Sequence, residues 1–441
     1  MVQLHIGFDD TDSPKGGCTT YIAALLVEKF RAYGVNFLDY PNLIRLNPNV
    51  RWKTRGNGAL CLRIECIEDK LKKIKEIVTN TVNNNSELDY DGTDPGIVFF
   101  SGRIPRKVIE FSKKAKQSII TFDRALTLAE SVKAETFRFK KGRGIIGALA
   151  AIGECLQKDH TFEIIAYRTP KNRDQSRRVL PLSVKNMDKL SPNTFNNVDP
   201  QTGRILITPR GPDPILCGIR GETPQAVKRA YELLRIEEPV ERWMIFRTNQ
   251  GTDAHFQGVV KIKEVKQYNS VVVQGFVSRK PRIIQGGHVI FSIKDNSGEI
   301  DCAAYKPTVS LCEVARKLII GDFLKVYGGV RPSSQNFPLT INLEKINILH
   351  LEQKKSFINP TCPECGKRLK SMGTNQGFKC NKCGFRSSKL TKLLIKIDRG
   401  LDCGLYIASP KSQRHLTKPF SRYGKEKTCP PKQLIENWYF S

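Results

Sequence analysis

This chain of 441 residues has no apolar run long enough to cross a bilayer. Its longest, Ile145 to Gly153, falls far short of the ~20 residues a spanning helix needs, so no membrane role is expected. No secretory leader is expected either, because Met1 runs straight into a strand-like segment followed by acidic residues. Histidine is scarce, with six in all, and no Ser-His-Asp set or cysteine-nucleophile setting can be assembled. His5, His160 and His350 read as structural or surface residues, and His255 as a weak candidate for a polar site. A disulfide framework is also missing. The thirteen cysteines are odd in number, four have metal spacing, and others such as Cys61, Cys155 and Cys217 lie inside apolar segments. That is the pattern of a reduced, cytoplasmic protein.

Acid is the last shortage: 43 Asp and Glu face 72 Lys and Arg, a net charge of +29. A protein this basic meets a polyanion. The imbalance is uneven. From Lys261 to Ser441 there are 32 Lys and Arg against 13 Asp and Glu, while the first 260 residues hold only the remaining +10. The front reads as an ordinary enzyme and the rear as a polyanion-binding surface. The length predicts several domains, and 39% apolar residues suffice for packed cores.

Against this basic background, three carboxylates crowd one strand end in Gly7-Phe8-Asp9-Asp10-Thr11-Asp12, after the apolar run Val2 to Phe8. A small, flexible loop, Ser13 to Gly17, leads to Cys18-Thr19-Thr20 at the head of a helix-like stretch. Three repelling carboxylates at one point suggest a hard cation such as Mg2+, and with it phosphoryl chemistry. A turn with Asp12 or Ser13 as helix cap is the plainer alternative.

Cys362-Pro-Glu-Cys365-Gly and Cys380-Asn-Lys-Cys383-Gly are two Cys-x-x-Cys knuckles 14 residues apart. Each aims two thiolates at one metal, so together they predict a zinc ribbon whose four-cysteine site is closed and structural. Lys367, Arg368, Lys370, Lys379, Lys382 and Arg386 fringe it, which suits phosphate-backbone contacts. Before it, Val271–Val277, His288–Ile293, Glu299–Tyr305, Gly321–Gly328 and Ile341–Ile346 read as strands, with a helix over Val309–Leu318. Three strands, a helix and two more strands is the order of an OB-fold β-barrel.

Two clusters in the front join glycine to basic residues. One is Lys53-Thr54-Arg55-Gly56-Asn57-Gly58. The other, Lys141-Gly142-Arg143-Gly144-Ile145-Ile146-Gly147, formally matches G-x-G-x-x-G. No clean strand precedes the second and no acidic ribose partner follows, so a dinucleotide fold is not expected. Exposed glycine amides beside Lys and Arg make an anion site, and close helix packing through Gly144, Gly147 and Ala151 is the structural alternative.

These pieces run in one order over nearly the whole chain. With Arg45-Leu46-Asn47-Pro48, Ile165-Ala166-Tyr167-Arg168, Asn196-Asn197-Val198-Asp199, Gly218-Ile219-Arg220-Gly221-Glu222, Gly286-Gly287-His288-Val289 and Arg414-His415-Leu416-Thr417-Lys418-Pro419, the sequence resembles the archaeal tRNA-isoleucine 2-agmatinylcytidine synthetases (agmatidine synthases). The resemblance implies a multidomain α+β protein. Its kinase-like catalytic domain would occupy 1–60 and 133–200, and a ferredoxin-like domain 61–132 and 201–262. The OB-fold would follow at 263–352, the zinc ribbon at 353–395 and a basic C-terminal segment at 396–441.

It implies an ATP-dependent ligase that joins agmatine to C2 of the wobble cytidine of a CAU-anticodon isoleucine tRNA, so that AUA is read as isoleucine. The C2 carbonyl oxygen is phosphorylated first and then displaced by the agmatine amine. By the same resemblance Asp9, Asp10 and Asp12 hold Mg2+ on ATP, and Thr19 is the threonine that becomes phosphorylated. Lys53, Arg55, Lys141, Gly142, Arg143 and Gly144 steady the phosphates, Asp199 and Glu222 are the candidates for agmatine, and Cys362, Cys365, Cys380 and Cys383 bind zinc. Two departures stand out: Pro14 stiffens the acidic loop, and the tail after Lys425 matches nothing clearly. Rival readings are a haloacid-dehalogenase-like phosphatase using Asp10 as nucleophile, and a non-catalytic OB-fold and zinc-ribbon nucleic-acid-binding protein.

Overall fold

The computed structural model describes every residue except 336 and 432. The front half is built on one mixed sheet. In strand Val2–Asp9 the apolar residues alternate, sending Leu4, Ile6 and Phe8 into one core. Gly7 lies on the opposite face, against Ala148 of helix Ile145–Gly153. The strand order is Glu135–Arg138, Gly96–Ser101, Val2–Asp9, Gly58–Cys66, Asn42–Arg45, Val240–Thr248, Thr161–Arg168, Ile215–Gly221 and Thr194–Phe195. Helices Thr19–Ala32 and Leu71–Asn85 cover one face of the first half through residues such as Phe30 and Val78. Helices Arg106–Gln117, Phe122–Ser131 and Ile145–Gly153 cover the other. The last of these is apolar all round, as a helix wedged between sheet and helices must be.

The two halves of this sheet meet at a parallel contact of two residue pairs, Asn42 with Arg247 and Leu43 with Thr248. Polar bonds reinforce the seam. The buried Arg247 guanidinium donates to both Asp39 carboxylate oxygens and to the Leu156 carbonyl. A buried arginine paired in this way is costly to strip of its partner.

The rear half follows the expected order: Ser270–Ile284, His288–Asp295, Gly298–Ala304, helix Ser310–Lys317, Phe323–Arg331 and Thr340–His350. The barrel closes where Gly298–Ala304 runs parallel to Thr340–His350. The first strand is longer than its apolar pattern, which stops at Val277. Its polar continuation pairs with His288–Ser292 through register shifts, and Gly286 and Gly287 turn it with φ of 85° and 78°. A two-stranded stalk, Lys355–Ile358 with Leu393–Lys396, flanks the zinc ribbon. The chain then turns back. Gly404–Ile407 joins the barrel edge and Tyr439–Phe440 joins the front sheet. Between them Arg422, fully buried, bridges Asp159 and Glu222. Trp438 packs edge-on against Phe37 and Tyr40. Among the described residues no helix is long and apolar enough to cross a membrane.

The strand-to-helix contact at Gly7 leaves no room for a side chain, since a Cβ there would overlap the Ala148 backbone carbonyl. Gly7→Ala is expected to cost about 3 kcal/mol, at the upper end for overpacking because the obstacle is backbone. A thermal melt checks this, and an unchanged midpoint would refute the contact.

Candidate active site

The strand end and its loop carry Asp9, Asp10 and Asp12 into the wall of a cavity of about 490 Å3, a volume suited to a nucleotide-sized ligand. Asp10 has a left-handed backbone, φ 63°, which short polar side chains tolerate. The three carboxylates have different partners. Arg143 holds Asp10 at 2.8 Å, and Arg55 holds Asp12 at 2.8 Å. Arg55 also reaches Asp213 at 3.0 Å and donates to the Gly17 carbonyl. Asp9 has no ion-pair partner among the described residues. Its Oδ2 occupies the space a Cβ on Gly147 would need, so the carboxylate sits against the first turn of helix Ile145–Gly153. Burial, and then the neighbouring Asp10 carboxylate, push Asp9 up to about 8. Burial raises Asp10 to about 6 despite Arg143, and raises Asp12 despite Arg55.

The glycines of the second basic cluster therefore serve close approach first. A Cβ on Gly144 would strike the Asp9 carbonyl and the Gly96 amide, and one on Gly147 the Asp9 carboxylate. The cluster splits its basic residues: Arg143 and Gly144 line the cavity, whereas Lys141 and Gly142 do not. The Lys141 side chain is exposed, and only its backbone amide turns inward, donating to Asp94 at 3.3 Å. Lys53 and Arg55 both line the cavity. So does Thr19, the first residue of its helix, whose Oγ accepts a hydrogen bond from Thr11 at 3.0 Å.

Asp199 and Glu222 lie elsewhere and are already satisfied. Asp199 organises its own turn, accepting from the Gln201 and Thr202 amides, the Thr202 hydroxyl and the Lys411 amide. Glu222 is paired with Arg422 at 2.7 Å and with Lys427. The acidic residues that do line the cavity beside the triplet are Glu163 and Asp213. Glu163 accepts from Arg220 Nε at 3.1 Å and from Gln250, and Gln250 in turn accepts from Arg45 at 3.3 Å. Arg220 donates to His415 Nδ1 at 3.0 Å. Burial, with Arg45 and Arg220 alongside, holds His415 well below the usual imidazole range, so the ring is neutral. Burial lowers Arg45 to about 10, where it keeps its charge at neutral pH. A signal for Glu163 was available, because it interrupts the otherwise apolar run Phe162 to Ala166. Asp213 and His415 carried no such signal. His255 is not part of this cavity; it bonds Glu344 of the barrel at 3.1 Å.

Among the described residues, the only set of three or more metal-ligating atoms within 4.8 Å of one another is Cys362, Cys365, Cys380 and Cys383. The Sγ pairs 362–383 and 365–380 are 3.5 Å apart, close to the ~3.8 Å edge of a tetrahedral zinc–thiolate site. The acidic triplet is more open. Its donor chemistry still fits a hard cation, because Asp9 has no ion-pair partner among the described residues, faces the cavity half-buried and is crowded by Asp10. The Arg143 ion pair argues against Asp10 as a phosphatase nucleophile, since it clamps Oδ2.

A carboxylate-and-arginine cavity at a strand end, joined to an OB barrel and a zinc ribbon with a basic surface, defines a phosphate-handling enzyme of nucleic acid. Family models give the particulars: the TiaS TCKD domain matches residues 5–141, the TiaS FLD domain 142–255, the OB-fold nucleic acid binding domain 271–349 and the TiaS C-terminal zinc ribbon domain 359–401. The isoleucine-tRNA 2-agmatinylcytidine synthetase TiaS of Pyrococcus horikoshii is 44% identical over 417 residues, covering 94% of this chain and 96% of its own. A solved complex of TiaS with its isoleucine tRNA and ATP superposes with a TM-score of 0.85 at 39% identity, covering 96% of this chain and 98% of that one. A TiaS complex with the same tRNA, AMPCPP and agmatine gives 0.82 at 37%, with the same coverage. The chain belongs to the isoleucine-tRNA 2-agmatinylcytidine synthetase family.

The folded state keeps the Asp9 proton up to pH about 8, whereas the unfolded chain loses it near pH 4. With divalent cations chelated, stability therefore falls as pH climbs through that window. Asp9→Asn is expected to flatten the fall and to melt several degrees above the unsubstituted protein at pH 8. Parallel pH–melting curves for the two proteins would contradict the assignment.

Proposed function

We propose that this protein joins agmatine to C2 of the wobble cytidine of CAU-anticodon isoleucine tRNA at the expense of ATP, giving 2-agmatinylcytidine so that AUA is decoded as isoleucine. The observation that carries the reading is one cavity holding the acidic triplet, its two clamping arginines and Thr19, in a chain of this family. Cytosine C2 is a poor electrophile. Attack of its O2 on an ATP phosphorus, with cleavage of the bond from that phosphorus to its bridging oxygen and departure of the remainder of ATP, converts the oxygen into a leaving group. The agmatine amine then bonds to C2, phosphate departs with the former O2, and the amine sheds a proton.

Asp9, with Asp10 and Asp12, would hold Mg2+, which when bound offsets charge on the ATP phosphates. Arg55 and Arg143 fix Asp12 and Asp10, and with Lys53 and Gly144 they line the space for the phosphates. Thr19, which also lines the cavity, matches the threonine that such enzymes phosphorylate from ATP, a second acceptor beside the cytidine O2. Agmatine carries two cationic ends, and Glu163 and Asp213 are the carboxylates that line the cavity beside the triplet; each would exchange an arginine contact, with Arg220 or with Arg55 and Arg177, for a cationic end.

The product assay is direct: incubate the protein with Mg-ATP, agmatine and the tRNA, digest, and identify nucleosides by mass spectrometry. Agmatine-modified cytidine is expected. Its absence while the tRNA is bound would sink the reading. Asp12→Asn is expected to bind tRNA normally and to lose at least a hundredfold in product. Cys380→Ser should do the reverse, weakening tRNA binding because the ribbon unfolds without metal; unaltered filter-binding curves for it would separate the ribbon from tRNA recognition.

A further inference from the structure

The loop between strands Asn42–Arg45 and Gly58–Cys66 carries a tryptophan that no core explains. Trp52 is 48% exposed, lines the cavity beside Val50 and Lys53, and is in none of the hydrophobic clusters. Among the described residues, no aromatic ring or cation stacks on it. The loop that holds it is nevertheless fixed. The Leu46 amide donates to the Asn57 carbonyl at 2.9 Å, closing the base. Asn47 Nδ2 donates to the Tyr268 carbonyl and Asn49 Nδ2 to Ser270 Oγ, each at 2.9 Å, fastening one limb to the start of the barrel. Arg414 donates to the Pro48 carbonyl at 2.9 Å. Arg55 fastens the other limb to Asp12 and Asp213. A large ring with a free face is thus held at the cavity rim, between Arg51 and Lys53.

We propose that Trp52 is a stacking platform for a base of the tRNA anticodon loop at the mouth of the cavity. The proposal rests on tRNA being the substrate. Chemistry at C2 requires the cytidine to leave its stack, and a ring at the mouth replaces stacking lost on extrusion. Aromatic stacking tolerates any base, and the flanking Arg51, exposed on the far side of the ring from Lys53 in sequence, meets an adjoining phosphate. The adenine of ATP is a less suitable occupant. The Trp52 loop meets the carboxylates only through Arg55 on its second limb, whereas its first limb is anchored to the barrel and the C-terminal segment, the basic side from which tRNA arrives.

Of the other tryptophans, Trp438 is buried and Trp243 half-buried, so Trp52 is the one of the three most open to a stacking base. Titrating the full-length protein with tRNA, without ATP, is expected to quench its emission. Trp52→Phe should lose that quenching and bind tRNA within about threefold of the unsubstituted protein, because a stacking ring remains. Trp52→Ala should bind tRNA about tenfold more weakly, raise KM for tRNA more than it lowers kcat, and leave ATP affinity and the melting temperature unchanged. Equal quenching in Trp52→Phe, or unaltered tRNA binding by Trp52→Ala, would overturn the proposal. Equal quenching by Mg-ATP alone would assign the ring to adenine and also overturn it. tRNA binding without quenching defeats this site and leaves the function standing; no tRNA binding at all defeats both.

Discussion

The cavity depends on one close approach of backbone to backbone. Strand Val2–Asp9 meets helix Ile145–Gly153 where Gly7, Gly144 and Gly147 have no side chains, and a Cβ at any of them would collide with backbone or with the Asp9 carboxylate. That contact holds the half-buried Asp9 beside Asp10, and burial, then the Asp10 carboxylate, push it up to about 8. Burial of a charged group is costly unless it is paired, and the structure pairs two of the three carboxylates but not the third. Arg143 arrives from the turn before the helix and Arg55 from a loop between two strands. Two carboxylates of the triplet are therefore matched by arginines, and Asp9 stands without an ion-pair partner among the described residues.

The C-terminal segment completes this arrangement. It sends His415 to the cavity, Arg422 to Asp159 and Glu222, and Lys418 and Thr417 to Asp253 and Glu344. It crosses from the barrel to the front sheet, so the nucleic-acid-binding modules and the catalytic half share one continuous polar seam. Glu344 is held down to about 2 in that seam by His255, Arg414 and Thr417, against the burial that would raise it.

What the sequence revealed was local in origin. The acidic triplet, the knuckles and the barrel strands depend on spacings of a few residues, and the structure places them as those spacings imply. What it concealed depends on distant partners. Glu222 stands out as a carboxylate after an apolar strand, yet Arg422, 200 positions later, satisfies it. Asp199 is absorbed in the same way by its own turn and by Lys411. Lys141 and Arg143 look equivalent in sequence, but the left-handed Gly142 between them, φ 65°, turns one outward and the other toward Asp10. No linker marks a domain boundary in the front half because a single sheet runs through all of it.

Burial beside Asp10 favours the protonated form of Asp9, which has no ion-pair partner among the described residues, and in the proposed reaction a cation would replace that proton. Deprotonation on binding must then appear as proton release. Calorimetric titration of the protein with Mg-ATP at pH 7, repeated in buffers of different ionisation enthalpy, measures it. Release of about one proton is expected, abolished in Asp9→Asn. Binding with no proton exchanged in the unsubstituted protein would contradict it.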